Sequence, residues 1–115
     1  MASCHLSARI VAMVIYEVNI AVNSEIHSDY EAWLKGHVEQ LLKVPGFKTA
    51  KTYSRINEDE GDGSTKRLLT VHYFVESRGA LQKYFETQAP ELRRDAERLF
   101  GNKFVITRRI LYPQN

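Results

Sequence analysis

Trp33 and His37 stand four residues apart in EAWLKGHVEQLL, with Leu41 four further on. On a helix that spacing places the three side chains on one stripe. An imidazole between an indole and a leucine is poorly solvated, so burial disfavours its charged form. A neutral imidazole of this kind serves as a base or as an edge for a bound cofactor. Helical-face histidines are more commonly packed than reactive, and packing is the reading favoured for His37. Tyr84, on the inward side of a later helix, completes this candidate pocket as Trp33, His37 and Tyr84.

A second constellation sits on strands. His72 is out of phase with Leu69, Val71, Tyr73 and Val75, and Glu17 is out of phase with its own apolar neighbours. Arg108 or Arg109 can approach the same mixed face, and Arg109 is carried forward as the third member. A Glu17–His72–Arg109 group can bind an acidic ligand or shuttle protons. It can equally fix the register of a dimer, which is the preferred reading, because no nucleophile or complete acid–base pair accompanies it. Other chemistry is poorly supported. Glu58, Asp59, Glu60 and Asp62 lack the twelfth-position glutamate and flanking helices of a calcium loop. Cys4 has no Cys/His cluster around it, so no metal is expected. Neither a phosphate-cradling glycine loop nor a serine elbow occurs.

The elements that must position these groups follow from periodicity. Val14 to Val22 alternate with period two, giving a first strand. Asn23 or Ser24 can cap the helix that follows, whose apolar stripe runs from Ile26 through Tyr30, Trp33, Leu34, His37 and Val38 to Leu42. Pro45 and Gly46 stop it. Phe47 to about Ile56 is a second strand, NEDEGDGSTK a polar hairpin connection, and Leu68 to Val75 a third strand. Ser77 caps a second helix carrying Leu81, Tyr84, Phe85 and Gln88, which Pro90 interrupts. Leu92, Ala96 and Leu99 lead to a C-cap at Gly101, and Phe104 to Leu111 is the last strand.

The order β-α-β-β-α-β predicts an α+β, ferredoxin-like fold: a four-stranded antiparallel sheet with helices on one face. The other face is open, with Ile15, Tyr53, Phe74 and Ile110 as apolar candidates, and a second copy is the simplest cover for it. The 115 residues suit one domain, expected at 13–115 after a disordered tail at 1–12; a presequence and an upstream start are the alternatives for that tail. A net charge of +2 gives no reason to expect a nucleic-acid or membrane partner. One cysteine excludes an internal disulfide and fits a reducing, cytoplasmic setting.

YEVNIAV, YEAWLKGHVEQLLKVPGF, VHYFVESRGALQKYF and FGNKFVITRRIL resemble the dimeric α/β-barrel superfamily, and most nearly one of its domain-of-unknown-function families. The resemblance spans Met13 to about Tyr112. It implies a homodimer in which two sheets pack face to face, with ligand clefts between helices and sheet. Relatives in that superfamily include antibiotic-biosynthesis monooxygenases, haem-degrading enzymes and EthD-like proteins, the last with a similar Trp-x-x-x-His spacing. VPGF and ESRGAL match its structural signatures, which specify fold well and chemistry poorly. RNA-recognition domains share the element order, but only Tyr16 and Tyr73 fall where base-stacking aromatics belong. Two function classes remain: a homodimeric small-molecule-binding or assembly protein with no cofactor, and, as the alternative, a cofactor-independent or haem-assisted monooxygenase or isomerase. They part on whether an open cleft contains both Trp33 and His37.

Overall fold

The computed structural model describes residues 13–56 and 66–114. The expected tail at 1–12 and the acidic connection from Glu58 to Asp62 lie outside the described residues.

Alternation in the first segment yields β1 (Val14–Asn23), with Val14, Tyr16, Ile20 and Val22 all buried. A short 3₁₀ turn, Ser24–Ile26, leads into α1 (His27–Leu41). Neither Asn23 nor Ser24 supplies the expected side-chain cap, because this turn satisfies the chain locally before the helix starts. α1 buries Tyr30, Leu34 and Leu41, the stripe read from the sequence. Gly46 ends the connection with φ of 92°, and a Cβ there would lie 2.5 Å from the Ala80 side chain. Only glycine meets both conditions, so the helix-to-strand turn and the next helix approach closely there.

β2 (Phe47–Ser54) and β3 (Lys66–Val75) pair antiparallel as consecutive strands. Ser77 then caps α2 (Arg78–Thr87), its hydroxyl accepting from the Ala80 amide at 3.0 Å. Pro90 does not kink a longer helix. It sits in the first turn of a separate α3 (Ala89–Phe100), where a missing N–H costs nothing. α3 buries Ala89, Leu92 and Ala96 and packs Phe100 on the core, while Leu99 is 61% exposed. The inward stripe is centred near Ala96, which leaves Leu99 on the flank. Gly101, with φ of 60°, turns the chain into β4 (Phe104–Leu111).

The sheet is antiparallel throughout, in the order β2-β3-β1-β4. This is the α+β, ferredoxin-like architecture. Its register sorts the side chains into two faces. Tyr16 lies opposite Tyr73 and Ile110, and these face the helices. Glu17 lies opposite His72 and Arg109, and these face away. Ile15, Tyr53 and Phe74 are on the open face as expected. Ile110 is not: its pairing with Tyr16 turns it toward the core, and Leu111, opposite Ile15, takes its place. Tyr16 and Tyr73, the two candidates for base stacking, are each 2% exposed beneath the helices. Among the described residues no helix is long and apolar enough to cross a membrane.

Candidate functional site

A cleft of about 430 Å³ opens between the helices and the β1–β4 side of the sheet. That volume is within the usual range of small-molecule sites. α1 contributes Trp33 and His37, whose rings stack at 4.6 Å and 17°. Both residues line the cleft, together with Tyr84 from α2. Burial lowers the His37 pKa from 6.5 to about 4, with Asp95 opposing and Arg108 assisting. The imidazole is therefore neutral at physiological pH and is available to accept a proton or a hydrogen bond.

Four tyrosines line the same cavity: Tyr16, Tyr30, Tyr73 and Tyr84. Each is at least nine-tenths buried, yet no hydroxyl of the four has a hydrogen-bond partner among the described residues. No fully enclosed polar side-chain atom lacks a partner among the described residues, so these hydroxyls open onto the cavity. Burial raises the pKa of Tyr84 to about 12 and pushes those of Tyr30 and Tyr73 higher still. All three remain neutral phenols, able both to donate and to accept. Tyr30 and Tyr84 were placed on inward stripes by periodicity, but only Tyr84 was singled out for a pocket. A core tyrosine and a cavity tyrosine have the same sequence pattern, so Tyr16, Tyr30 and Tyr73 could not be separated from packing. Arg108 also lines the cleft, and this one did leave a signal: it interrupts the inward series Phe104, Ile106, Ile110. A second groove, of about 520 Å³, lies between α1 and β2 beside Lys35, Glu39 and Thr52. No aromatic side chain lines it.

The open face carries the other constellation, and the register brings its three expected members together. Glu17 Oε1 lies 2.8 Å from His72 Nε2, and Arg109 Nε donates to Glu17 Oε2. Asn19 donates to the same carboxylate oxygen at 2.8 Å. The network runs on through Asn19 Oδ1, which accepts from Thr70 at 2.7 Å and from Arg55 at 3.0 Å. Arg55 also donates to the Thr70 hydroxyl and the Leu69 carbonyl, each at 3.0 Å. Arg55 and Asn19 were missed in the sequence, since their link spans thirty-six positions. Arg109 chiefly, with help from Asn19 and His72, outweighs burial and holds the Glu17 carboxyl at a pKa of about 2. The Arg109 pKa is raised in return. Tyr53 sets its ring edge-on to His72 at 5.3 Å. Each of these side chains has at least one partner within the group. Among the described residues no group of three or more metal-binding side chains occurs.

A single antiparallel sheet in this order, with helices on one face and an aromatic cleft beneath them, defines a ferredoxin-like protein of the helix–sheet cleft type. The chain belongs to the family described as a domain of unknown function, DUF4286, whose model matches residues 13–114. No curated protein matches it. Among solved structures it is similar to an EthD-family protein from Bacillus halodurans, with a TM-score of 0.65 and 18% identity over 89% of this chain and 99% of that one. It is also similar to SnoaB, a cofactor-independent oxygenase from Streptomyces nogalater, with a TM-score of 0.63 and 10% identity over 89% and 94%. A Streptomyces coelicolor monooxygenase in complex with nanaomycin D gives 0.59 and 16% over 92% and 90%. At these identities the likeness establishes the fold alone.

Proposed function

We propose that this protein binds a small aromatic molecule in the helix–sheet cleft and works as a homodimer joined across its open sheet face. One observation carries the ligand reading: tyrosine hydroxyls without protein partners among the described residues open onto a cavity that also holds the Trp33–His37 stack. A hydroxyl that opens onto a cavity is met there by ordered water or by a polar guest. The dimer reading is supported by Ile15, Phe74 and Leu111 beside a polar lattice on the uncovered face. It extends to the cytoplasmic setting expected from cysteine usage.

A second reading, a cofactor-independent oxygenase, is favoured by a specific observation. His37 is a neutral imidazole inside the cleft, positioned to take a proton from an acidic guest. The fold likeness to SnoaB is consistent with that chemistry. A haem-assisted reaction would rest on the same imidazole, as a single axial ligand.

Trp33 is the only tryptophan, so its fluorescence reports the cleft directly. A thermal-shift screen of aromatic acids, quinones and haem should find compounds that raise the melting temperature by mass action and also change Trp33 emission. Loss of such a compound's binding in a stable His37→Leu protein would make the imidazole a ligand contact and overturn its reading as a packing residue. A screen in which stabilising compounds never perturb Trp33 would move the site elsewhere. Sedimentation equilibrium showing a monomer at micromolar concentration would remove the dimer.

A further inference from the structure

β4 places an arginine where its own pattern calls for an apolar residue. Phe104, Ile106, Arg108 and Ile110 share the helix-facing side, and Phe104, Ile106 and Arg108 border the cleft. Arg108 is exposed, so its stem leaves the sheet at the cleft and its charge sits toward the mouth. It has no hydrogen bond or ion pair among the described residues, although Glu97 lines the same cleft. Arg93, the other arginine there, has its guanidinium 5.9 Å from the Phe85 ring centre, a cation–π contact that Arg108 lacks among the described residues. The Arg108 charge reaches inward: it opposes in small part the rise that burial imposes on Tyr30 and Tyr84, and adds to the lowering at His37.

We infer that the cleft is built for an aromatic carboxylate, its ring system among the tyrosines and Trp33 and its carboxylate on the Arg108 guanidinium at the mouth. This deepens the cleft reading above and depends on it. A planar guanidinium with nothing bound is the natural partner of a carboxylate, which it grips through two parallel hydrogen bonds. One free guanidinium matches one negative charge. A phosphate would call for further donors, and the other arginine of the cleft, Arg93, sets its guanidinium over the Phe85 ring. The interior beyond Arg108 is aromatic and uncharged, with His37 neutral, which suits an apolar ring and repels a second charge.

Calorimetric titration with naphthoate and with its uncharged methyl ester separates the possibilities. The acid is expected to bind about tenfold more tightly than the ester, the scale of one charge-assisted contact. Arg108→Gln should reduce that ratio to about one while ester affinity is retained, and Arg108→Lys should restore part of it. Arg109→Gln, one residue on but facing away, should leave the ratio unchanged. Equal affinity of the wild type for acid and ester would overturn the carboxylate assignment and leave the cleft reading standing. If neither binds, the aromatic cleft reading falls too. Melting curves of each variant identify any loss of binding caused by unfolding, and Arg108→Lys then serves as the folded comparison.

Discussion

Each face of the sheet has a histidine, an arginine and an aromatic ring, but the two sets are satisfied differently. On the open face His72, Arg109 and Asn19 all bond the Glu17 carboxylate. In the cleft His37, Arg108 and the tyrosines share a cavity and make no hydrogen bonds to one another among the described residues. Adjacent residues, Arg108 and Arg109, divide between the two because side chains alternate along a strand. A closed network specifies structure, since any change leaves a charge without its partner. An open one is set for something not yet bound. Stability should therefore track the open face, and ligand affinity the cleft.

The largest effect is expected at the centre of the closed network. Glu17→Ala removes the acceptor shared by Arg109, His72 and Asn19 on a central strand. The expected loss is roughly 2–3 kcal/mol, held down by the access of Arg109 to water. Urea unfolding midpoints measure it. If the sheet face is also the dimer interface, the variant should dissociate at higher protein concentration than the wild type. A loss below about 0.5 kcal/mol with unchanged association would mean that the network holds neither fold nor dimer together.

How much of this contrast was legible in sequence differs between the two faces. Period-two alternation placed Glu17 and His72 on one side and the apolar series on the other, and the order β-α-β-β-α-β gave the fold class. The Glu17–His72–Arg109 group followed, because register converts phase into proximity. The exception has a local cause. Ile110 was assigned to the open face because the phase of β4 was not fixed at Arg108 and Arg109. The cleft was less legible. Trp33 and His37 were visible through their spacing, but a cavity is a volume that packing fails to fill. No periodicity separates a tyrosine that fills space from one that borders it.

Acid should affect the two regions in separate windows. Burial lowers the pKa of His37 from 6.5 to about 4 on folding, so between those values the unfolded chain binds more protons. Stability is then complete above about pH 6.5 and falls as the pH drops toward 4. Glu17, lowered from 4.5 to about 2, favours the charged form in the fold; its contribution is present above 4.5 and is lost as the pH falls toward 2. His37→Leu should abolish the upper window, worth of order 1–3 kcal/mol, and keep the lower one. Melting temperatures between pH 7 and pH 3 test this. A His37→Leu profile parallel to wild type above pH 4.5 would mean that the imidazole is solvated in the folded protein.

The smallest effect gives the sharpest version of the comparison, because it removes one hydroxyl from each region. Thr70→Val on the open face deletes a group that donates to Asn19 and accepts from Arg55. Both partners stay behind, so a loss of about 1 kcal/mol is expected. Tyr84→Phe in the cleft deletes a hydroxyl with no protein partner and keeps the ring, which packs at 5.2 Å on Phe47 and 6.2 Å on Tyr16. Its stability should stay within about 0.5 kcal/mol of wild type. Its affinity for whatever aromatic compound the screen identifies should nevertheless fall, since the hydroxyl's role lies with the guest. Paired denaturation and titration of the two variants give a crossed pattern, with Thr70→Val less stable but binding normally and Tyr84→Phe stable but binding weakly. Equal stability losses would show that the Tyr84 hydroxyl is already held by the protein. The cleft would then be as closed a network as the opposite face, with no polar position left for a ligand.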